Sequence, residues 1–388
     1  VGRAALAAVR STNHHAVMMR ALVAVAMALA APTIAGQTFL VDLNNGPGTD
    51  FTSLAAAVAA VPDGAVLRVR SGGYFEFVGI DDKSLTIVGE PGAVVYAPST
   101  SVGIQIEHLS PTKVVVLRGL GLSSAAVAQS AILRCDDNQG LVFIDGMNGI
   151  GSRVLVASQC AALLCRQCGF AGQTQVGCTL TGCEAVFDQC ALVDTRVVGG
   201  SAQFSYCAMN GHPGMLVPGG AALTLSSAAV RLANGYLIGG SASGSTTGPA
   251  ITGNGSARID PSTAILAGGI GTGIALTTAA MPYVAASLLA GTTDVLTTLR
   301  GPAGEPAVLF VATRALPYQV PGLDPLWLEP TTAVVQALGV LPSGGSLQSV
   351  TALPTSPWLV GLALVWQGMT FGGNGALQVS SPSWYVLP

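Results

Sequence analysis

Carboxylates and cysteines are the residues here whose types and spacing suit chemistry. Asp136 and Asp137 are adjacent and Asp145 follows within the same short stretch. Paired carboxylates are the usual means of general acid/base work on a polymer, so these three are the catalytic candidates. No histidine stands beside them: His14 and His15 lie near the start of the chain, and His108 and His212 sit in loop-like stretches. An Asx-rich turn is the plainer reading of Asp136-Asp137. The Gly-x-Ser-x-Gly elbow and the phosphate-binding loop are both absent.

Eight cysteines, Cys135 to Cys207, fall within 73 residues. Three uses compete for them. The first is an inward-facing ladder of small buried side chains, with Cys168, Cys190 and Cys207 as its rungs. The second is disulfide bonding, since side chains stacked about 4.7–4.9 Å apart lie within the range a disulfide spans. The third is zinc on Cys160, Cys165, Cys168 and Cys178. Only Cys165-x-x-Cys168 is a close pair and no second such pair follows, so no metal site is assigned. Asp42, Asn44 and Asp50 lack the spacing and closing glutamate of a calcium loop and read as a plain turn. No cofactor motif is present.

These residues are positioned by a repeat. ALLCRQCGF (162–170), EAVFDQCAL (184–192) and SAQFSYCAM (201–209) align with one another. Leu163, Ala185 and Ala202 correspond, as do Cys165, Phe187 and Phe204, then the three cysteine rungs, then Phe170, Leu192 and Met209. Apolar residues recur at steps of two, three and two. A step of two is strand alternation, and a step of three is a corner that restores the inward face. Short strands stacked in this way form a solenoid. Arg166 and Asp188 then occupy one position in adjacent coils, where an exposed ion pair on the outer face is expected. Gln167, Gln189 and Tyr206 form the next row, and with Arg166 and Asp188 they are the candidate binding residues. The markers Gly89, Gly119, Gly146, Cys168, Cys190 and Cys207 extend the coils toward the N-terminus.

Before the coils comes FTSLAAAVAAVPDG (51–64), with Phe51, Leu54, Val58 and Val61 on one helical face. Asp50 or Thr52 is the expected cap, and Pro62-Asp63-Gly64 ends the helix. Its expected role is to close the open end of the first coil. The stretch 48–93 resembles the opening of pectin-lyase-like right-handed β-helix proteins and is most similar to pectin methylesterases. It has a capping helix, a Gly-x-Tyr-x-Glu-x-Val-like segment at Gly73, Tyr74, Glu76 and Val78, and a Leu-Thr-Ile-x-Gly coil. The resemblance implies the fold. It does not carry the esterase site across. QSAILR (129–134) is similar to the segment bearing the esterases' first Gln, here Gln129, but their Gln-Asp segment is missing. VFIDG (142–146) has its Asp on the wrong side of the apolar pair.

The fold expected is therefore all-β: a right-handed parallel β-helix with an N-terminal capping helix, followed by a small antiparallel β-sandwich. The β-helix is expected over 37–275, and a linker (267–280) leads into a sandwich within 276–388. All four tryptophans lie in that last part. Trp366 shares a face with Leu362 and Leu364 and reads as core, whereas Trp384 suits either core or a sugar platform. Residues 1–36 read as a leader and secretory signal peptide. One arginine precedes about eleven apolar residues, too few for a membrane span of roughly twenty. Export is the expectation, with no membrane span after its removal.

Charged residues make up 9% of the chain and the formal net charge is −3. Loss of Arg3, Arg10 and Arg20 with the leader takes it to about −6, which leaves no basic patch for nucleic acid. Two functional classes remain. One is a non-catalytic surface or secreted protein that binds polysaccharide or another cell-envelope component. The other is a lyase, esterase or hydrolase of acidic polysaccharide. Convergent carboxylates with an arginine in one groove would favour the second.

Overall fold

The computed structural model describes residues 36–98, 102–124, 131–172, 176–213, 219–241, 247–315, 317–320, 323–353, 359–372 and 375–387. The leader and Gln129 lie outside them. The chain divides into two compact units, Gly36–Met281 and Pro282–Pro388.

In the first unit each coil contributes up to three short strands, and strands of successive coils pair in parallel. The first face is built from Thr38–Val41, Ala65–Val69, Leu85–Gly89, Val114–Arg118, Leu141–Asp145, Ala162–Arg166, Glu184–Asp188 and Ser201–Ser205. The second is a nine-stranded sheet running from Gly72–Phe75 to Ala264–Ala267. The third comprises Val78–Asp81, Ile104–Glu107, Ala131–Asp136, Arg153–Ser158, Cys178–Thr181 and Thr195–Val198. Leu223–Ala233 and Ile251–Ile259 serve the third face and then the first without a break, which joins those two faces into one 17-stranded sheet. This is a parallel β-helix. Residues 267–280, expected as a linker, instead hold the strand Ile274–Thr278, which pairs with Gly255–Ile259. Small side chains there signal tight coils rather than a tether.

The step of three has a structural cause. At most corners on either side of the first face one residue adopts a left-handed conformation, turning the chain while keeping both neighbours' strands in register. Between the first and second faces these are Gly119, Gly146, Gln167, Gln189, Tyr206 and Asn234, with φ from 48° to 69°. Between the third and first they are Asp82, His108, Asp137, Gln159, Gly182 and Gly199, with φ from 38° to 62°. The marker series therefore slips by one residue. Gly146 stacks with Gln167, as the pairing of Asp145 with Arg166 requires, and Met147 stacks with Cys168. Between the first and second faces glycine holds the corner at Gly119 and Gly146 and a side-chain-bearing residue in later coils, so residue type alone misaligned them.

The residue after each corner points inward, and there the cysteines form ladders. Their thiols donate to carbonyls of the preceding coil: Cys160 to Cys135 (3.4 Å), Cys168 to Ile144 (3.5 Å), Cys190 to Cys165 (3.3 Å) and Cys207 to Phe187 (3.4 Å). Asn138 does the same to Ile106 at 3.0 Å. All eight cysteines are buried and none is joined in a disulfide. Burial pushes the Cys135, Cys165 and Cys178 thiols up, away from the thiolate needed for attack or metal binding. Above them Phe187 and Phe204 stack with ring centroids 5.1 Å apart.

The capping helix spans Leu54–Ala60 and buries Leu54, Ala57 and Val58. Its N-cap is Ser53, whose hydroxyl accepts the Ala56 N–H at 3.1 Å; Asp50 instead accepts the Leu40 N–H. Glu76 completes the cap, accepting from the N–H groups of Leu54 (2.7 Å) and Ala55 (3.2 Å). The negative carboxylate suits the positive end of the helix. Tyr74 is buried and donates to the Arg70 carbonyl at 3.0 Å. Tyr74 and Glu76 of the Gly-x-Tyr-x-Glu-x-Val-like segment are thus structural. Asp42 closes its turn by accepting from Asn44, Gly46 and Arg70, contacts that hold its carboxyl below the usual range.

The second unit has two antiparallel sheets. One comprises Tyr283–Leu288, Asp294–Arg300 and Ser346–Ala352; the other comprises Pro306–Ala312, Val334–Val340, Ala363–Phe371, Leu377–Val379 and Ser383–Val386. Val284, Val295 and Leu299 of the first share a core with Leu309, Leu364 and Trp366 of the second, a small β-sandwich. Trp327, Trp366 and Trp384 are fully buried, so Trp384 is core and no sugar platform. No helix among the described residues is long and apolar enough to cross a membrane.

Candidate functional site

The outer sides of the first and third faces differ, and the expected site residues divide between them. On the first face the outward rows are Val116, Phe143, Leu164, Val186 and Gln203, and beside them Arg118, Asp145, Arg166, Asp188 and Ser205. Phe143, Leu164 and Val186 are buried, and so are Asp145, Arg166 and Asp188. Arg166 and Asp188 do stand one coil apart, with Nε 3.8 Å from Oδ2. The expectation of an exposed pair is corrected, because their side chains are 1% and 0% exposed. Strand alternation separates inward from outward positions, but it does not report whether an outer face is covered.

Signs alternate coil by coil along this row. Arg118 lies 3.6 Å from Asp145, and Asp145 lies 3.6 Å from Arg166. Burial pushes the Asp145 carboxyl above its ordinary value, and Arg166 and Arg118 pull it back only in part. At the neighbouring corner Gln167 donates its amide to Gln189 at 3.2 Å, and Gln189 reaches Asp188 at 3.3 Å. Tyr206 continues that corner row. Three of the candidate binding residues therefore form a partly exposed ridge, while two are walled in beneath it.

The third face is open at its N-terminal coils. Register places Gly79, Gln105 and Arg134 in one outward row and Asp81, Glu107 and Asp136 in the next. Gly79 leaves its slot empty, and the Phe77 ring lies across it: a Cβ on Gly79 would sit 3.2 Å from that ring. Phe77, Gln105 and Arg134 thus flank three stacked carboxylates. Gln105 donates to Glu107 at 2.7 Å. Asp136 is held by the Arg134 guanidinium and by the Ser158 hydroxyl, the latter at 2.7 Å. Farther along, the same rows carry Val156, Thr179, Arg196 and Thr224, and Ser158, Thr181, Val198 and Ser226, a mostly polar floor with one arginine. Round the corner on the second face, Phe75 and Tyr96 stack at 4.4 Å and 9°, with Phe75 75% exposed.

At the edge of this array His108 Nδ1 meets Asp81 Oδ1 at 2.9 Å, and that hydrogen bond raises the imidazole pKa above its ordinary value. Ligand atoms of Asp81, Glu107 and His108 all lie within 4.8 Å of one another, the only such group among the described residues. Asp137 is the exposed corner residue beside His108. Of the three catalytic candidates only Asp136 belongs to this array; Asp145 is on the other face. Glu107, Arg134 and Phe77 escaped sequence reasoning because each comes from a different early coil with an irregular intervening loop.

The fold is a parallel β-helix. Among solved structures the chain is similar to a rhamnogalacturonan lyase (15% identity, TM-score 0.44, covering 60% of this chain and 75% of that one). It is also similar to a pectin methylesterase mutant in complex with a hexasaccharide (14%, TM-score 0.32, 58% and 80%). A third is the full-length tailspike protein 2 of an Escherichia coli bacteriophage (10%, TM-score 0.30, 90% and 68%). No family model matches the chain, and no curated protein does.

Proposed function

We propose that the β-helix binds an extended polysaccharide along its third face without cleaving it. The supporting observation is the array itself: an exposed aromatic ring beside amide, guanidinium and carboxylate groups, in rows one strand apart. An aromatic ring offers a flat apolar surface to a sugar ring. Gln105, Glu107 and Arg134 supply donors and acceptors for hydroxyls, and the Ser/Thr floor extends the track. Gln167, Gln189 and Tyr206 make a second, partly exposed polar row on the opposite corner of the first face. Export to where polysaccharides are met accords with the apolar leader.

A second reading, hydrolysis or elimination, has one observation in its favour. Glu107 and Asp136 are register partners on adjacent strands with Arg134 beside them, and neighbouring carboxylates can divide acid and base roles. Both readings are tested together by a glycan array on the exported chain beside a degradation assay on the same polymers. Binding that weakens in Phe77→Ala, with no release of methanol, reducing ends or unsaturated products, is the expected result. Turnover abolished by Glu107→Gln and Asp136→Asn would replace binding with catalysis.

A further inference from the structure

We infer that the outer side of the five-stranded sheet in the second unit is the contact surface of a homodimer, packed against the same surface of a second copy. Register defines that surface. Leu338, Val308 and Met369 form one row across three strands. Val340 and Pro306 begin the next row, and Phe371 completes it because Ala307 pairs with Thr370. All six are apolar, and the five strands contain no charged residue. Alternation along each strand sends the six away from the core that Leu309, Leu364 and Trp366 share.

One end of this side is covered by the chain itself. Gln367 accepts from the Trp327 N–H at 2.8 Å and donates to the Pro325 carbonyl at 3.0 Å, which lays that segment over the sheet with Trp327 fully buried. The other end has no such cover: Leu338 is 73% exposed and Val340 61%, and Val335 and Phe371 are exposed as well. Val334–Val340 is also an edge strand, paired only with Pro306–Ala312 among the described residues, and it lacks the charges and prolines that keep an edge from associating. Two-fold symmetry suits such a surface, because apolar rows meet apolar rows and no like charges face each other across the axis. The area agrees. The four most exposed side chains present on the order of 400 Å² per copy, close to the roughly 500 Å² of apolar surface that a homodimer interface of standard size takes from each partner. Pairing of the two edges alone would leave those side chains in water, so the sheets meet face to face.

Sedimentation velocity of the full chain over a concentration series tests this. The expected result is a monomer when dilute and a doubled mass above about 10 µM, as suits an interface of this area. Leu338→Asp with Val340→Asp should hold the chain monomeric throughout, with circular dichroism and melting midpoint unchanged because both side chains already face water. The milder Leu338→Ser should weaken the dimer about tenfold or more, the loss expected for one buried leucine in each copy. Phe75→Ser, which removes an exposed ring from the first unit, should leave the dimer intact. A chain that stays monomeric at every soluble concentration overturns the inference. So does a dimer that survives both Leu338 variants, or one lost equally in Phe75→Ser. A monomer that instead floats with phosphatidylcholine vesicles assigns the surface to lipid and overturns it too.

Discussion

The first and third faces of one β-helix, built from the same coils, treat polar side chains in opposite ways. On the first face Asp145, Arg166 and Asp188 are outward by alternation yet buried, and each charge is set beside its opposite in the next coil. On the third, Asp81, Glu107 and Asp136 stack like upon like: Asp81 is exposed and Glu107 half-buried, while the buried Asp136 has Arg134 beside it. A buried charge demands a partner of opposite sign, because desolvation is costly. An exposed carboxylate such as Asp81 does not, since solvent screens it. A charge arrangement that would be ruinous on the first face is tolerated on the third, which leaves the third free to meet a ligand.

The sharpest way to break this contrast is to substitute each face and compare unfolding in urea. Inside the coil, Phe187→Asp places a charge against Phe204 and should abolish folding, seen as loss of soluble protein. On the first face, Arg166→Ala or Asp188→Ser should cost about 3–5 kcal/mol, because a buried partner is stranded. Replacing Asp145, Arg166 and Asp188 together with apolar residues should recover most of that loss. On the third face, Glu107→Gln should stay within about 0.5 kcal/mol of the parent. Equal costs on the two faces would erase the distinction.

Corners supply a smaller effect. Gln167 holds φ near 51°, a region unfavourable for side-chain-bearing residues. Gln167→Gly should change the melting midpoint little or raise it slightly. Gln167→Val should lower the stability by about 1–3 kcal/mol, as a β-branched residue is strained there.

The smallest effect is a titration. His108 should show a pKa above 6.5 by NMR, and Asp81→Asn should bring it back toward that value. Because the folded pKa is raised, the His108–Asp81 contact contributes fully below about pH 6.5 and is lost as pH rises through the folded value. For Asp145 the raised carboxyl has the same sign: its favourable contribution is lost as pH rises from near 3.8 through its folded value.

The inward residues were legible from sequence because they repeat by type. Leu163, Ala185 and Ala202 stack as aligned, and so do Cys165, Phe187 and Phe204. Inward positions must be apolar in every coil, which writes them into the chain as a period. Outward residues obey no such rule. The row through Gly79, Gln105 and Arg134 shares no residue type, and its coils differ in length, so only the register brings these residues together. Corner residues fall between the two. Their conformation is fixed, but Gly146, Gln167 and Tyr206 satisfy it with unrelated side chains.

The capping helix makes the two ends of the coil stack unequal. Leu54, Ala57 and Val58 seal the first coil, and Glu76 fastens the seal. The last strand, Ile274–Thr278, is largely solvent-facing. In a stack where each coil leans only on its neighbours, openings begin wherever a neighbour is missing. Amide hydrogen exchange should therefore run as a gradient, fastest near Ile274 and slowing through Ile251 and Leu223 toward the cysteine ladders. The β-helix would fray from one end, like a rope whipped at the other.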